Sequence, residues 1–154
     1  MDELHCTIDE IDRAILRILQ SDARESFIEI ARNLGVSGGT VHARVGRMKE
    51  LGLIKGSALL VDYAKLGYSV EAFIGLKLVR AHDCGTLMAK LETLPEVLEV
   101  HYTTGAYSLF IKVMARSMQD LHHILFERLQ GFDEIQSTET FVILDTSLSR
   151  QREL

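Results

Sequence analysis

The chain has 154 residues, 47% hydrophobic and 25% charged, with a formal net charge of −5, which suits one mid-sized globular unit or two small ones. It holds no run of about 18 apolar residues that would make a membrane-spanning helix, and its acidic start, MDELHCTIDEIDR, is not that of a signal peptide. Cys6 and Cys84 have neither metal-ligand spacing nor enough company for a disulfide framework, so no metal is expected, and free thiols in a reducing cytoplasm are.

Thr7 and Glu10 have the spacing of a capping box, and Ile8, Ile11, Ile15, Ile18 and Leu19 follow at helical intervals, which predicts an amphipathic helix ending near Ser21. Ser26 and Glu29 repeat that spacing ahead of a second helix, whose apolar side is Ile28, Ile30, Ala31 and Leu34. Gly35 stands where a helix end needs a residue that tolerates positive φ. After Val36, Ser37 can cap a third helix running to about Leu51, with Val41, Val45 and Met48 inward. Residues 26–51 therefore read as a helix-turn-helix, the first helix supplying the third wall of a small core.

The outer face of the third helix suggests its use. A step of about 100° per residue turns Gly39, His42, Ala43, Gly46 and Arg47 outward. Glycine on an exposed helical face lowers helix propensity, but small residues let a helix sit deep in the DNA major groove. Charge agrees: residues 1–36 carry a net −4, while residues 37–56 carry a net +3 from Arg44, Arg47, Lys49 and Lys55 against Glu50. On this reading Gly39, His42, Ala43 and Arg47 meet base edges, Ser37, Thr40, Arg44 and Lys49 reach phosphates, and Gly38 opens the helix beside them. Arg44 sits at the edge of the apolar face and has a second destination, an acid inside the domain such as Asp12. So modest a basic patch calls for several chains acting together.

Gly52 ends the third helix, and residues 56–67 read as a connector strand, because Ala58-Leu59-Leu60-Val61 is too apolar to wave in water. From Tyr68 the apolar period changes to two. Alternation over residues 70–78 gives a strand, and Asp83 can cap a helix with Leu87, Met88, Leu91 and Leu94 inward, stopped by Pro95. Strands follow at 97–103 and 107–114, then a helix opened by Ser117 with Leu121, Leu125 and Leu129 inward, then a strand at 134–144 and a polar tail. The expected architecture is α+β: an N-terminal helix-turn-helix (winged-helix-like) domain over residues 1–55, and a C-terminal ferredoxin-like βαββαβ domain over residues 68–154, with two helices on one sheet face. Phe73, Val79, Phe110, Met114, Phe141 and Ile143 leave the other face partly apolar, which predicts self-association.

Two segments of this domain concentrate hydroxyl and amide groups. One is Tyr102, Thr104, Gly105, Ala106, Tyr107 and Ser108; the other is Gln136, Ser137 and Thr138. Gly105 lets backbone groups approach closely, which suits the carboxylate and ammonium of an amino acid. A plain hairpin with polar edges has the same composition. His122 and His123 are adjacent on a helix and point apart, so they do not chelate together.

With IDEIDRAILRILQSDAR, IARNLGVSGGTVHARVGRMKELGLIKG and VHYTTGAYSLFIKV in this order, the chain resembles the Lrp/AsnC family of "feast/famine" transcriptional regulators over essentially its whole length. It departs from many members in having Gly38 where proline follows the recognition-helix cap. The resemblance implies a cytoplasmic DNA-binding regulator rather than an enzyme. It implies homodimers and higher even-numbered assemblies, octamers among them. It also implies an amino-acid effector held by the turn after the second C-terminal strand, and a target gene of amino-acid metabolism such as that for asparagine synthetase. The polar character of both segments favours asparagine over a leucine-like ligand, which would leave those groups unpaired. Acidic amino acids are disfavoured because Lys112 is the one cation in reach. Another amino-acid effector, or an enzyme resembling the siroheme decarboxylases on the same fold, are the alternatives.

Overall fold

The computed structural model of the chain describes residues 8–152. Their contacts divide into two units: the chain up to Leu60 together with the segment from Leu148, and Val61–Ser147. The tail joins the first unit through Gln20, whose side-chain amide donates to Gln151 Oε1 at 3.3 Å and to the Arg152 carbonyl at 3.4 Å.

The N-terminal unit is three helices: α1 (Glu10–Ser21), α2 (Phe27–Leu34) and α3 (Gly38–Glu50). α1 has a capping box, two residues later than the sequence suggested. The Asp9 side chain accepts from Asp12 N–H at 2.8 Å, and Asp12 accepts from Asp9 N–H at 3.2 Å. Thr7 and Cys6, named above, lie outside the described residues. Ser26 caps α2 by accepting from Glu29 N–H, but Glu29 turns forward to Arg32 at 2.8 Å instead of back to the cap. Gly35 ends α2 at φ 67°, the left-handed conformation its position called for. Ile15, Leu16, Ile30, Ala31, Val41, Val45 and Met48 form the core. Ile28, expected in it, is 69% exposed; Phe27, Ile30, Ala31 and Leu34 make the inward arc instead.

Past α3, no strand forms among residues 53–62, so the connector strand is absent from the single chain. A strand needs an edge to pair with, and this segment finds none in its own unit. Leu60 is left 95% exposed.

The C-terminal unit opens on a 3-10 turn, Tyr63–Leu66, then runs β1 (Val70–Leu78), α4 (Cys84–Leu91), β2 (Val97–Tyr102), β3 (Leu109–Ala115), α5 (Met118–His123), a π-helical turn Ile124–Leu129, and β4 (Ile135–Val142). The strands lie in the order β2-β3-β1-β4, all antiparallel, as a ferredoxin-like sheet requires. Ala72, Ile74, Leu76, Leu109, Ile111 and Val113 face α4 and α5 in one core. Asp83 makes no capping bond to α4; it is buried and takes Arg80 Nε at 3.1 Å. The π-helical turn moves the inward stripe of the second helix from Leu125 to Ile124, so that Leu121, Ile124 and Leu129 are the buried positions. The opposite sheet face carries Phe73, Phe110 and Phe141, with Phe110 6.0 Å from each of the other two rings.

Candidate functional site

The N-terminal site is built around the start of α3. Ser37 caps the helix by accepting from Thr40 N–H at 3.0 Å, and the two hydroxyls lie 2.8 Å apart. That bond fixes Ser37 and Thr40 as a hydroxyl pair at the helix N-terminus, a place suited to phosphate. Gly39, His42, Ala43, Arg47 and Lys49 are exposed, while Gly38, Thr40, Arg44 and Gly46 are half-buried. His42 is steadied by Phe27, edge to face at 6.0 Å. A Cβ at Gly38 or Gly46 would meet no atom within 4 Å, and one at Gly39 would meet only Ser37 Oγ at 3.7 Å. Packing within the unit therefore does not require these glycines, although each costs about 1 kcal/mol of helix propensity against alanine. The room they leave lies on the outside of the helix.

Arg44 takes the second of its two destinations. Its guanidinium donates to Asp9 at 2.7 Å and to Asp12 at 2.9 Å, so it faces the domain and not an outside phosphate. Asp12 is fully buried, and a buried carboxylate needs a cation or several donors. Arg47 reaches the other Asp12 oxygen at 3.4 Å while staying half-exposed. The Asp9 carboxyl is held below its usual pKa by the Asp12 backbone N–H and by Arg44. The Arg44 guanidinium is raised by Asp12 and Asp9.

The C-terminal site centres on the turn between β2 and β3. Gly105 adopts φ 106°, open to glycine and strained for other residues. The turn is closed by Thr103 N–H to the Ser108 carbonyl at 3.1 Å and by Thr103 Oγ1 to the Tyr107 carbonyl at 2.9 Å. Ser108 N–H donates to the Leu76 carbonyl at 2.9 Å, which stitches the turn to β1.

Sheet register decides which of the expected residues meet. Leu76 pairs with Leu109 on one side and Thr138 on the other, and Tyr102 pairs with Leu109. Both polar segments thus lie at one level of the sheet, with β1 between them. Alternation then separates neighbours. Ser137, opposite Lys77, faces the outer side with Tyr107, while Thr138, opposite Leu76, faces the helices. Gln136 sits at the irregularity between Lys77 and Leu78. Tyr102, Thr104, Gly105 and Ala106 are exposed at the turn.

Two residues on this outer side escaped the sequence reading, Gly75 and Lys77, and Glu139 of the last-strand segment lies beside them. The Tyr107 ring lies against Gly75 so closely that a Cβ there would stand 2.6 Å from it. Lys77 Nζ is 5.8 Å from the centre of the same ring, and Glu139 is paired across from Gly75. A glycine inside a strand marks a close approach, and that was the available signal. Lys112 is engaged with Glu71 at 2.8 Å, whereas Lys77 lies by Tyr107 and pairs across from Ser137. Lys77 thus gives the turn a cation that an acidic ligand would need. His122 stacks on Phe126 at 4.3 Å, and His123 bonds Glu127 at 2.9 Å.

The model of the AsnC-type helix-turn-helix domain matches residues 8–49, and that of the Lrp/AsnC ligand binding domain matches residues 71–152. The chain is 49% identical over 143 residues to the regulatory protein AsnC of Escherichia coli strain K12, covering 93% of this chain and 94% of that one. It is 47% identical to the regulatory protein AsnC of Haemophilus influenzae, covering 93% and 95%. The solved structure of E. coli AsnC superposes with a TM-score of 0.92 at 47% identity, over 96% of this chain and 99% of that one. These relatives are named regulatory proteins, and the two models that match this chain are a helix-turn-helix domain and a ligand binding domain, not those of an enzyme.

Proposed function

Since the chain belongs to the Lrp/AsnC family of transcriptional regulators, we propose that it reads an operator with α3 and answers to asparagine through the 103–108 turn. The observation that carries the DNA half is the exposed face of α3, where glycines that the fold does not need leave a shallow surface beside Arg47 and Lys49. Gly39, His42, Ala43 and Arg47 meet base edges. Ser37, Gly38, Thr40 and Lys49 lie along phosphates, and Arg44 supports them from within.

The effector half rests on the hydroxyls and amides of Tyr102, Thr104, Tyr107, Ser108, Gln136 and Ser137, with Gly105 and Ala106 giving backbone access and Thr138 supporting β4 from its helix side. Lys77 suits the α-carboxylate and Glu139 the ammonium of the ligand. Likeness to a relative called regulatory protein AsnC favours asparagine, and an asparagine synthetase gene as the target. A second reading has one observation behind it: Lys77 beside Tyr107 could instead read a side-chain carboxylate, which would make aspartate the effector. The protein acts in the cytoplasm, where its DNA is. It works as a homodimer joined through the Phe73–Phe110–Phe141 face and the exposed connector, and as larger even-numbered assemblies, the octamer first.

Selection of bound genomic fragments with and without each of the common amino acids tests both halves. A defined operator whose recovery changes with asparagine supports the proposal. Recovery that changes only with aspartate selects the second reading. Recovery of no sequence above background removes α3 from the reading role.

A further inference from the structure

A cavity of about 640 Å³ opens within the C-terminal unit, a volume in the ordinary range for small-molecule sites. It lies where β1 and β2 begin and β3 ends, at the opposite end of the sheet from the 103–108 turn. Tyr63 and Tyr68 line it, edge to face with ring centres 6.4 Å apart. The Arg116 guanidinium lies over Tyr68 at 5.0 Å and donates to its hydroxyl at 3.4 Å. Leu98 and Met114 add apolar wall.

The polar groups here are unevenly satisfied. Asp120 Oδ2 accepts from Arg116 N–H at 2.9 Å and the Asp120 N–H donates to Ser117 Oγ, while the Asp120 charge also acts on the Arg116 guanidinium, behind that of Tyr68. The Arg116 guanidinium has no carboxylate within ion-pairing distance among the described residues. Glu96 is held at the wall by its carbonyl, which accepts from Met114 N–H at 2.9 Å. One oxygen of its carboxylate is buried without a hydrogen-bond partner, the only such side-chain atom among the described residues. An orphaned buried carboxylate oxygen is costly and uncommon, and a donor brought into the site relieves it.

We propose that this cavity is a second small-molecule site, one that takes a free zwitterion with an apolar or aromatic body. The ligand's ammonium completes Glu96, its carboxylate meets the Arg116 fork, and its body lies among Tyr63, Tyr68, Leu98 and Met114. Tyr63 belongs to the turn that ends the connector, so a ligand held here touches the segment that follows the DNA-binding unit in the chain. The site shares no residue with the 103–108 turn, so the two readings stand or fall separately.

Calorimetry on the full chain tests it, with L-phenylalanine as the probe, beside phenethylamine, which lacks the carboxylate, and 3-phenylpropionate, which lacks the ammonium. L-Phenylalanine should bind, and each fragment should bind at least about ten-fold more weakly, the scale of one lost charged hydrogen bond. Glu96→Gln and Arg116→Gln should each weaken the probe by a similar factor, while Ser108→Ala leaves it unchanged. Thermal melts of the ligand-free variants confirm folding, and Glu96→Gln should melt no lower than the parent. The proposal is overturned by absence of probe binding at millimolar concentration, by binding that survives Glu96→Gln, or by binding lost in Ser108→Ala. It is also overturned if Tyr63 and Tyr68 proton signals shift with protein concentration and not with probe, since a second copy then fills the cavity.

Discussion

Asp12 on α1 and Arg44 on α3 are joined at 2.9 Å, with Asp12 wholly shut from solvent and Arg44 reaching it from the edge of the helix that faces outward. Asp9 at 2.7 Å and Arg47 at 3.4 Å complete the cluster. The packing of α1 against α3 and the position of Arg47 on the exposed face are thus tied to one carboxylate. Removing one partner of a buried pair strands the other. Asp12→Ala should therefore destabilise the N-terminal unit by about 3 kcal/mol, measured by urea denaturation. Asp12→Asn, which keeps the shape, should lose less. An Asp12→Ala variant as stable as the parent would mean the ion pair is carried elsewhere.

The same cluster gives a pH dependence. The folded-state pKa of Asp9 is depressed, by the Asp12 backbone N–H first and Arg44 second. That of Glu134 is depressed by Lys90, 2.7 Å away, first. Stabilisation from a depressed carboxyl is fully present above its unfolded pKa, about 4, and is lost as pH falls through the lower folded value. Thermal midpoints should hold near neutrality and drop below about pH 4, and Asp9→Asn and Glu134→Gln should each flatten that drop. A variant whose acid-side profile matches the parent's has lost no linked proton.

Much of this was legible beforehand. The helical spacing of Val41, Val45 and Met48 and the alternation of Ala72, Ile74 and Leu76 placed both cores, because burial imposes those periods. Gly35 declared its left-handed end in the same way. What escaped was set by register across strands. Lys77 is about 30 residues from Tyr107 in sequence, and only the β1–β3 and β1–β4 pairings bring it beside Tyr107 and Ser137. The capping box of α1 slid from Thr7 to Asp9 because two acids in a row of candidates satisfy the same spacing. The connector strand failed because a strand is a property of a pair, and its apolar sequence carries no partner with it.

Gly46→Ala separates stability from recognition. Nothing within 4 Å meets the added methyl, so the N-terminal unit should gain about 1 kcal/mol of helix propensity. Operator affinity, measured by fluorescence anisotropy, should fall if the helix face packs closely into the groove. A stabilised variant with unchanged affinity would place Gly46 off the contact surface.

Arg47→Ala and Lys49→Ala should fail in different ways. Loss of a base-reading arginine should cost about 1–3 kcal/mol on the operator and relax its sequence preference. Loss of a phosphate contact should weaken all sequences alike and reduce the salt slope by about 1. Mobility shifts at several salt concentrations, on operator and scrambled DNA, distinguish them. Equal losses on both DNAs for Arg47→Ala would move Arg47 to the backbone.

The proposed effector site turns on Gly75. A methyl at this position would stand 2.6 Å from Tyr107 Cγ and under 3 Å from both neighbouring ring carbons. The near atom is the root of an aromatic ring, so the ring cannot slide aside locally and Tyr107 must leave the sheet. Strand β1 itself is fixed by pairing on both sides, and the core beneath it, Ile74 and Leu76, faces away from the change. Gly75→Ala should therefore keep the sheet, lower the melting temperature modestly, and abolish effector binding, whereas Tyr107→Phe should keep the ring in place and lose only a hydroxyl. Lys77→Met completes the set by removing the charge near the ring. If Lys77 receives the α-carboxylate, every amino acid should weaken together, and asparagine should keep its preference. If it reads a side-chain carboxylate, aspartate alone should suffer. Titration of the three variants with asparagine, aspartate and glutamine decides between these, and asparagine binding that survives Gly75→Ala would show that the pocket lies away from Tyr107.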